Sequence, residues 1–267
     1  MKNPLRAFPG LSRLILGALL LASALIGGSF IHLRFVPASL VLVILATVLM
    51  FRTEGKNLSA IGFTLNPRQL ILLPLGLLLG SASFLLSLYA GTLVRGGALA
   101  RNTALDWGGL FSRFQSELAP AAVQEFIVVG YCYLVLLRLT NIRVATVVFG
   151  MFFISLHDVW NGNVVNASFY ALALFLAYMM FSNALLRSGT IWFPIGLHWG
   201  NNFANTHLFT FSRTATSWLY VSGPQQQNLS VGQAIGLFVA LNIGVVTVIG
   251  ITNLLWRDKR LPPAKSG

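Results

Sequence analysis

One acid, two imidazoles and two carboxamides stand inside otherwise apolar stretches of this 267-residue chain. Gln124 and Glu125 sit in AAVQEFIVVGYCY, His157 closes VVFGMFFISLH, and His198 and Asn202 lie in WFPIGLHWGNNF. Ionisable side chains at bilayer depth are costly, so they face a protein interior and mark a site. A carboxylate and an imidazole can exchange protons, and imidazole and carboxamide groups can hydrogen-bond a ligand, so the chemistry open to this set is of the acid–base kind. Spacing narrows the geometry. His198 and Asn202 are four apart and share one helix face, and Phe153 lies one turn before His157, where its ring can shield the imidazole. Gln124 and Glu125 are adjacent and point about 100° apart, while Glu117 shares the face of Gln124 two turns earlier and closer to the surface.

The elements that hold these residues are membrane helices. The chain is 56% hydrophobic and 9% charged, with a mean hydropathy of +0.76. A soluble domain carries about a quarter charged residues, so most of this surface must face lipid. The expected fold is an all-α polytopic bundle of about eight transmembrane helices in a single domain, residues 1–267. The formal charge of +12 comes from residues between apolar segments, with no basic patch interleaved with exposed aromatics, and no nucleic-acid partner is expected. The single Cys132 excludes an internal disulfide and a cysteine metal site, and reads as a small core residue.

In chain order, a basic leader with Lys2, Arg6 and Arg13 precedes an apolar run, Leu14 to Ile31. Ala22, Ser23 and Ala24 mimic a signal cleavage site, but the run continues for a full span and reads as an uncleaved first helix. Further spans are expected over Val36–Phe51, Gln69–Val94, Glu117–Leu139, Val144–His157, Val164–Leu186, Ile191–Phe209 and Val231–Trp256. Gly76, Gly80, Ser83 and Ser87 put small residues on one face of the third span, and Gly196, Gly200 and Ala204 do so on the seventh, as close helix packing requires. The fifth span is short and places His157 near its end. The connection from Arg95 to Ser116, with Trp107, Phe111 and Phe114 among arginines, suits a segment at headgroup level. Asn161, Gly162, Asn163 and Asn166 read as a turn, and Leu261 to Gly267 as a frayed tail.

Alternate segments counted from the N-terminus hold Lys2, Arg6, Arg13, Arg52, Lys56, Arg68, Arg138, Arg143, Arg187, Arg257, Lys259, Arg260 and Lys265; the other side holds Arg34, Arg95, Arg101, Arg113 and Arg213. This bias of thirteen to five puts both termini in the cytoplasm, with the plasma membrane the expected location.

Three motifs in order now carry a resemblance. Gln124, Glu125, Phe126, Ile127, Val128, Val129 and Gly130 are similar to a Glu-Glu-x-x-x-Arg-Gly motif, Phe153 to His157 matches Phe-x-x-x-His, and His198 to Asn202 matches His-x-x-x-Asn. The region 117–209 resembles the CPBP family, which includes the type II CAAX prenyl endopeptidases and the bacteriocin-processing and abortive-infection (Abi) membrane proteins. The resemblance implies an intramembrane endopeptidase that hydrolyses a peptide bond of a membrane-associated or prenylated substrate. It implies catalytic roles for Glu125, His157, His198 and Asn202, with Gln124 and Phe153 at the substrate. Two departures matter: the first Glu of the pair, usually assigned to activate water, is Gln124, and the Arg is Val129. A carboxamide cannot take a proton at neutral pH, so a contribution of about 10² to 10⁴ in rate is at stake. Losing both together is chemically coherent, because either charge alone would be unpaired in the membrane.

Two functions follow. In the first, Glu125, or a water it shares with His157, activates the nucleophile while His198 and Asn202 hold the oxyanion. In the second, an impaired family member binds peptides or partner helices as a scaffold. A transporter is remote, since no pair of broken helices occurs in matching halves. The cofactor stays open between none and a divalent metal such as zinc, whose ligands would be His157, His198 and Glu125; no H-E-x-x-H spacing is present. His32 and His207, near span ends, read as hydrogen-bonding packing residues, and Asp158 as a solvated acid.

Overall fold

The computed structural model describes residues 10–31, 37–160, 163–223 and 229–257. Among these, eight helices form the bundle: α1 (Gly10–Ser29), α2 (Ala38–Thr53), α3 (Pro67–Val94), α4 (Trp107–Leu139), α5 (Ile142–Ser155), α6 (Val164–Ser188), α7 (Trp192–Phe203) and α8 (Val231–Leu255). Helices α1, α3, α4, α6 and α8 are long and apolar enough to cross a membrane, and α4 is by far the most enclosed of them. The fold is therefore an all-α membrane helix bundle. Of the sequence expectations, His32, Arg34, Asn161 and Gly162 lie outside the described residues, as do Lys2, Arg6, Lys259, Arg260 and the tail with Lys265.

Small residues decide the packing. A Cβ added to Gly76 or Gly80 would run into the backbone of Phe193 and Leu197, and one added to Gly196 or Gly200 into the backbone of Leu73 and Leu77. Helices α3 and α7 thus meet backbone to backbone, and Ser81 Oγ donates to the Gly200 carbonyl at 3.1 Å. The small stripe of α3 serves two partners, because Ser87 Oγ accepts from Gly244 N–H of α8 at 3.1 Å.

Two boundaries differ from the sequence reading. Helix α4 starts at Trp107 rather than near Glu117, because Asp106 Oδ1 accepts from Gly109 N–H at 2.9 Å and caps the polar first turns. Part of the expected headgroup segment is a strand, β1 (Ala98–Arg101), antiparallel to β3 (Leu219–Ser222), which pairs in parallel with β2 (Phe209–Thr210). This small sheet seals the end of the bundle where α7 stops. Helix α5 ends at Ser155, one turn short of Asp158, so it spans roughly 21 Å at 1.5 Å per residue. Asn163 caps α6 by accepting from Val165 and Asn166 N–H.

At the opposite end, Glu54 follows α2 and is enclosed by cations. Arg138 Nη1 and Nη2 donate to it at 2.6 and 2.8 Å, Lys56 Nζ at 2.8 Å and Tyr131 Oη at 2.9 Å. Burial alone would raise this carboxyl, but hydrogen bonds from Arg138, Lys56 and Tyr131 outweigh it and hold the group at about 2, against an ordinary 4.5. The cluster ties α2 to α4. A carboxyl depressed on folding lends stability that is complete above its unfolded value and is lost as pH falls toward the folded one. The detergent-solubilised protein should accordingly lose thermal stability between about pH 4.5 and 2, and Glu54→Gln should flatten that dependence in a melting series. Beside it, Gly62 has φ +63°, and any Cβ there would strike Gly189 and Thr190. The backbone passes this close because Thr190 Oγ1 donates to Gly62 O at 2.7 Å, docking the α2–α3 connection on the start of α7.

Candidate active site

Helices α4, α5 and α7 bring Glu125 to His198 and set Phe153 against both His157 and His198. Helix α4 carries Glu125 at the last α-helical position before a π-helical turn, Phe126–Gly130. Such wide turns are rare and are frequent at functional sites. The turn falls where the sequence has Val129 and Gly130 in place of an Arg-Gly pair, and Val129 is fully buried.

Across from it, His198 of α7 places Nδ1 at 2.6 Å from Glu125 Oε1. Both side chains are desolvated, 3% and 0% exposed. The Phe181 ring stacks on the His198 imidazole, with centroids 4.6 Å apart and planes 10° apart. One oxygen of Glu125, Oε1, is thus engaged with His198. Its second oxygen, Oε2, is buried without a hydrogen-bond partner among the described residues, and the same holds for Gln124 Oε1. Two adjacent residues therefore present orphaned acceptors, and each calls for a donor such as water or a substrate amide.

The Glu125 contact uses Nδ1 of His198 and leaves Nε2 for other groups. As a donor, Nε2–H would have the polarity an oxyanion needs.

His157 is just past the end of α5 and is half-buried. Its Nδ1 lies 2.8 Å from the Phe153 carbonyl, one of the helix's last. A carbonyl only accepts, so Nδ1 is the donor in this contact and Nε2 is left for other partners. Phe153 also packs its ring on both histidines, with centroids 4.6 Å from His157 and 6.0 Å from His198. The Phe-x-x-x-His spacing thus fixes the imidazole by ring and by backbone at once. Asn202 lies one turn beyond His198 on α7 and is half-buried, and Gln124 lines a cavity of about 330 Å³ together with Pro37, Ser39 and Leu156.

Among the described residues, no group of three or more His, Cys, Asp or Glu side chains comes close enough to share a metal ion. Glu125 and His198 direct their facing atoms at each other, and His157 directs Nδ1 at a carbonyl. As arranged, this donor set does not fit a tightly held zinc.

Residues 107–204, which run from the start of α4 to the end of α7, match the family described as type II CAAX prenyl endopeptidase Rce1-like. Over those residues the core is similar to that family. No curated protein matches the chain. The general reading for an Rce1-like core is a CAAX-type intramembrane protease, and with five long apolar helices the chain is an integral membrane protein.

One feature of this Rce1-like core escapes sequence reasoning. Glu117 Oε1 lies 3.1 Å from His207 Nε2, a second acid–imidazole pair joining α4 to the π-helical turn after α7, Ala204–Leu208. His207 is thus a hydrogen-bonding packing residue whose partner is Glu117. Glu117 is eight residues before Glu125 and His207 nine after His198, the spacing expected of antiparallel helices with one residue absorbed by the wider turn. Reading the two carboxylates and two imidazoles as mirrored pairs could have found it. Nearby, Trp199 Nε1 donates to Phe114 O at 2.8 Å, and Phe114 packs on Phe203, so the first turns of α4 clasp α7 above the deep pair.

Proposed function

We propose that the chain is an intramembrane endopeptidase of the CAAX-processing type, acting on a peptide bond of a membrane-associated, prenylated substrate. The observation that carries this reading is the pairing of Glu125 with His198 beside a Phe153-braced His157, within a core that matches the Rce1-like family. Water bound between the Gln124 amide oxygen and His157 Nε2 attacks the scissile carbonyl carbon, and its proton passes to Nε2. The oxyanion forms against His198 Nε2–H and the Asn202 amide. As the C–N bond breaks, the leaving amine takes the proton back from His157, leaving an acid and an amine as products. Glu125 acts by positioning His198. The carboxamide of Gln124 stands where the family's motif has a glutamate, so turnover is slow.

The test is cleavage of a prenylated reporter in proteoliposomes. The native protein should cleave slowly, and His157→Ala should lower the rate by about 10² or more while leaving the melting temperature unchanged, because the ring is half-buried and bonded only to a carbonyl. Undiminished cleavage by His157→Ala would remove it from the mechanism. Reporter binding without cleavage, in native protein and in restored variants alike, would favour the scaffold reading.

The positive-inside bias further supports cytoplasmic termini, the ends of α1 and α8 nearest Arg13 and Arg257. Reporter fusions at the two termini should both report cytoplasm, with the β1–β3 sheet on the far side. Termini on opposite sides would contradict this.

A further inference from the structure

A cavity of about 330 Å³ lies between α5 and α6 and shares no residue with the one that contains Gln124. Its lining changes character along its length. All four polar side chains, Arg143, Thr146, Ser182 and Asn183, stand toward the end where α5 begins and α6 nears its close, whereas Val147, Phe175 and Met179 form the part toward the middle of the bilayer. Asn183 lies eight residues beyond Phe175, about 12 Å of helix rise. Val147 and Met179 are exposed, so the groove opens sideways to lipid. Asn183 Nδ2 is buried and makes no hydrogen bond among the described residues. An amide nitrogen only donates, so it calls for an acceptor. The Arg143 guanidinium joins none of the ion pairs among the described residues, and no Asp or Glu lines the groove. Ser182 already donates to the Met179 carbonyl at 3.2 Å, which leaves Arg143 and Asn183 as the donors on offer.

We propose that this groove binds an anionic phospholipid of the cytoplasmic leaflet, with its phosphate held by the Arg143 guanidinium and the Asn183 amide and the start of an acyl chain laid along Val147, Phe175 and Met179. The planar fork of arginine suits phosphate oxygens, and basic pockets between transmembrane helices on the cytoplasmic side take anionic headgroups by the same chemistry. A soluble phosphate would use the donors and leave the apolar part bare. A zwitterionic lipid would bring a cation as well, and the groove has no acid to receive it. The binding is independent of proteolysis; only the choice of leaflet follows from the bias in basic residues. A lipid seated here bridges the two helices whose Phe153 and Phe181 rings pack on His157 and His198, so its binding should raise the melting temperature.

The experiment uses the full chain, delipidated in a nonionic detergent, and follows retention of added dioleoyl phosphatidylglycerol or dioleoyl phosphatidylcholine by native mass spectrometry. Phosphatidylglycerol should be retained in preference to phosphatidylcholine and should raise the melting temperature. Arg143→Gln should weaken its retention about five- to tenfold, the effect of losing one charge-assisted contact to phosphate. Val147→Trp, whose ring would fill the apolar part, should weaken it comparably. Arg68→Gln removes a charge from the same side of the membrane outside the groove and should leave retention at the native level. Arg143, Val147 and Arg68 are all exposed, so these changes spare the core, and unchanged melting temperatures in lipid-free detergent check this. Soluble glycerol 3-phosphate should not displace the lipid. Equal retention of phosphatidylcholine, an equal loss with Arg68→Gln, or native retention by both Arg143→Gln and Val147→Trp would each overturn the proposal. Displacement by glycerol 3-phosphate, with Val147→Trp behaving as native, would assign the donors to a soluble phosphate and overturn it as well.

Discussion

Gln124→Glu combined with Val129→Arg should raise peptidase activity on a membrane-embedded prenylated reporter by up to about 10² to 10⁴, the contribution of a positioned general base. Gln124 lines the cavity beside Leu156 and its side-chain oxygen is unpartnered, so a carboxylate there would stand beside the proposed attacking water. Val129 lies in the π-helical turn that starts directly after Glu125, and it is fully buried. An arginine at that position can persist only by pairing with an acid, and a carboxylate introduced by Gln124→Glu without it would be an uncompensated charge in the bundle. The single Gln124→Glu variant should therefore gain less than the double. Adding His157→Ala or His198→Ala to the double variant should abolish the gain. A double variant that folds, binds the reporter and cleaves no faster than native protein would show that Gln124 does not stand at the water.

Truncating either partner of the deep pair should be the most damaging single change to stability. His198→Ala would leave Glu125 fully buried with neither oxygen paired, and the loss of one partner from a buried ion pair costs about 3–5 kcal/mol. Glu125→Ala should cost a similar amount by stranding the imidazole and opening a cavity. Replacing both partners with apolar groups is a different matter, and is often neutral or better. His198→Phe with Glu125→Leu should recover most of the loss, because Phe181 already stacks flat on the His198 ring. Melting curves of the purified variants test this. The recovered double variant should also be inactive, which separates the pair's chemistry from its contribution to folding. If His198→Ala melts with native protein, the pair does not hold α4 to α7 as a desolvated contact.

Hydropathy made the helices legible, because a span needs about 20 apolar residues and lipid tolerates few exceptions. The small-residue stripes on α3 and α7 were legible for the same reason, and these helices do meet through glycines. The start of α4 was not. Its first turns hold Arg113, Gln115, Ser116 and Glu117, which look like a loop until the Asp106 cap is seen. Strands of two to four residues are too short to show a period, so the β1–β3 sheet left no trace. Within the site, motif spacing fixed helix faces but not partners on other helices. It put His198 and Asn202 on one face, yet only the packing of α4 on α7 reveals that Glu125 is bonded to His198. Both π-helical turns were likewise invisible, since they depend on tertiary packing rather than local pattern.

The most direct test of the proposed hydrolysis is reaction of the native protein in H₂¹⁸O, in proteoliposomes, with a prenylated peptide and mass analysis of both fragments. Slow release of the residues beyond the prenylated cysteine is expected, with one ¹⁸O in the new carboxylate and loss of the product with His157→Ala. No product from the native protein or from Gln124→Glu/Val129→Arg, with binding of the peptide intact, would contradict it.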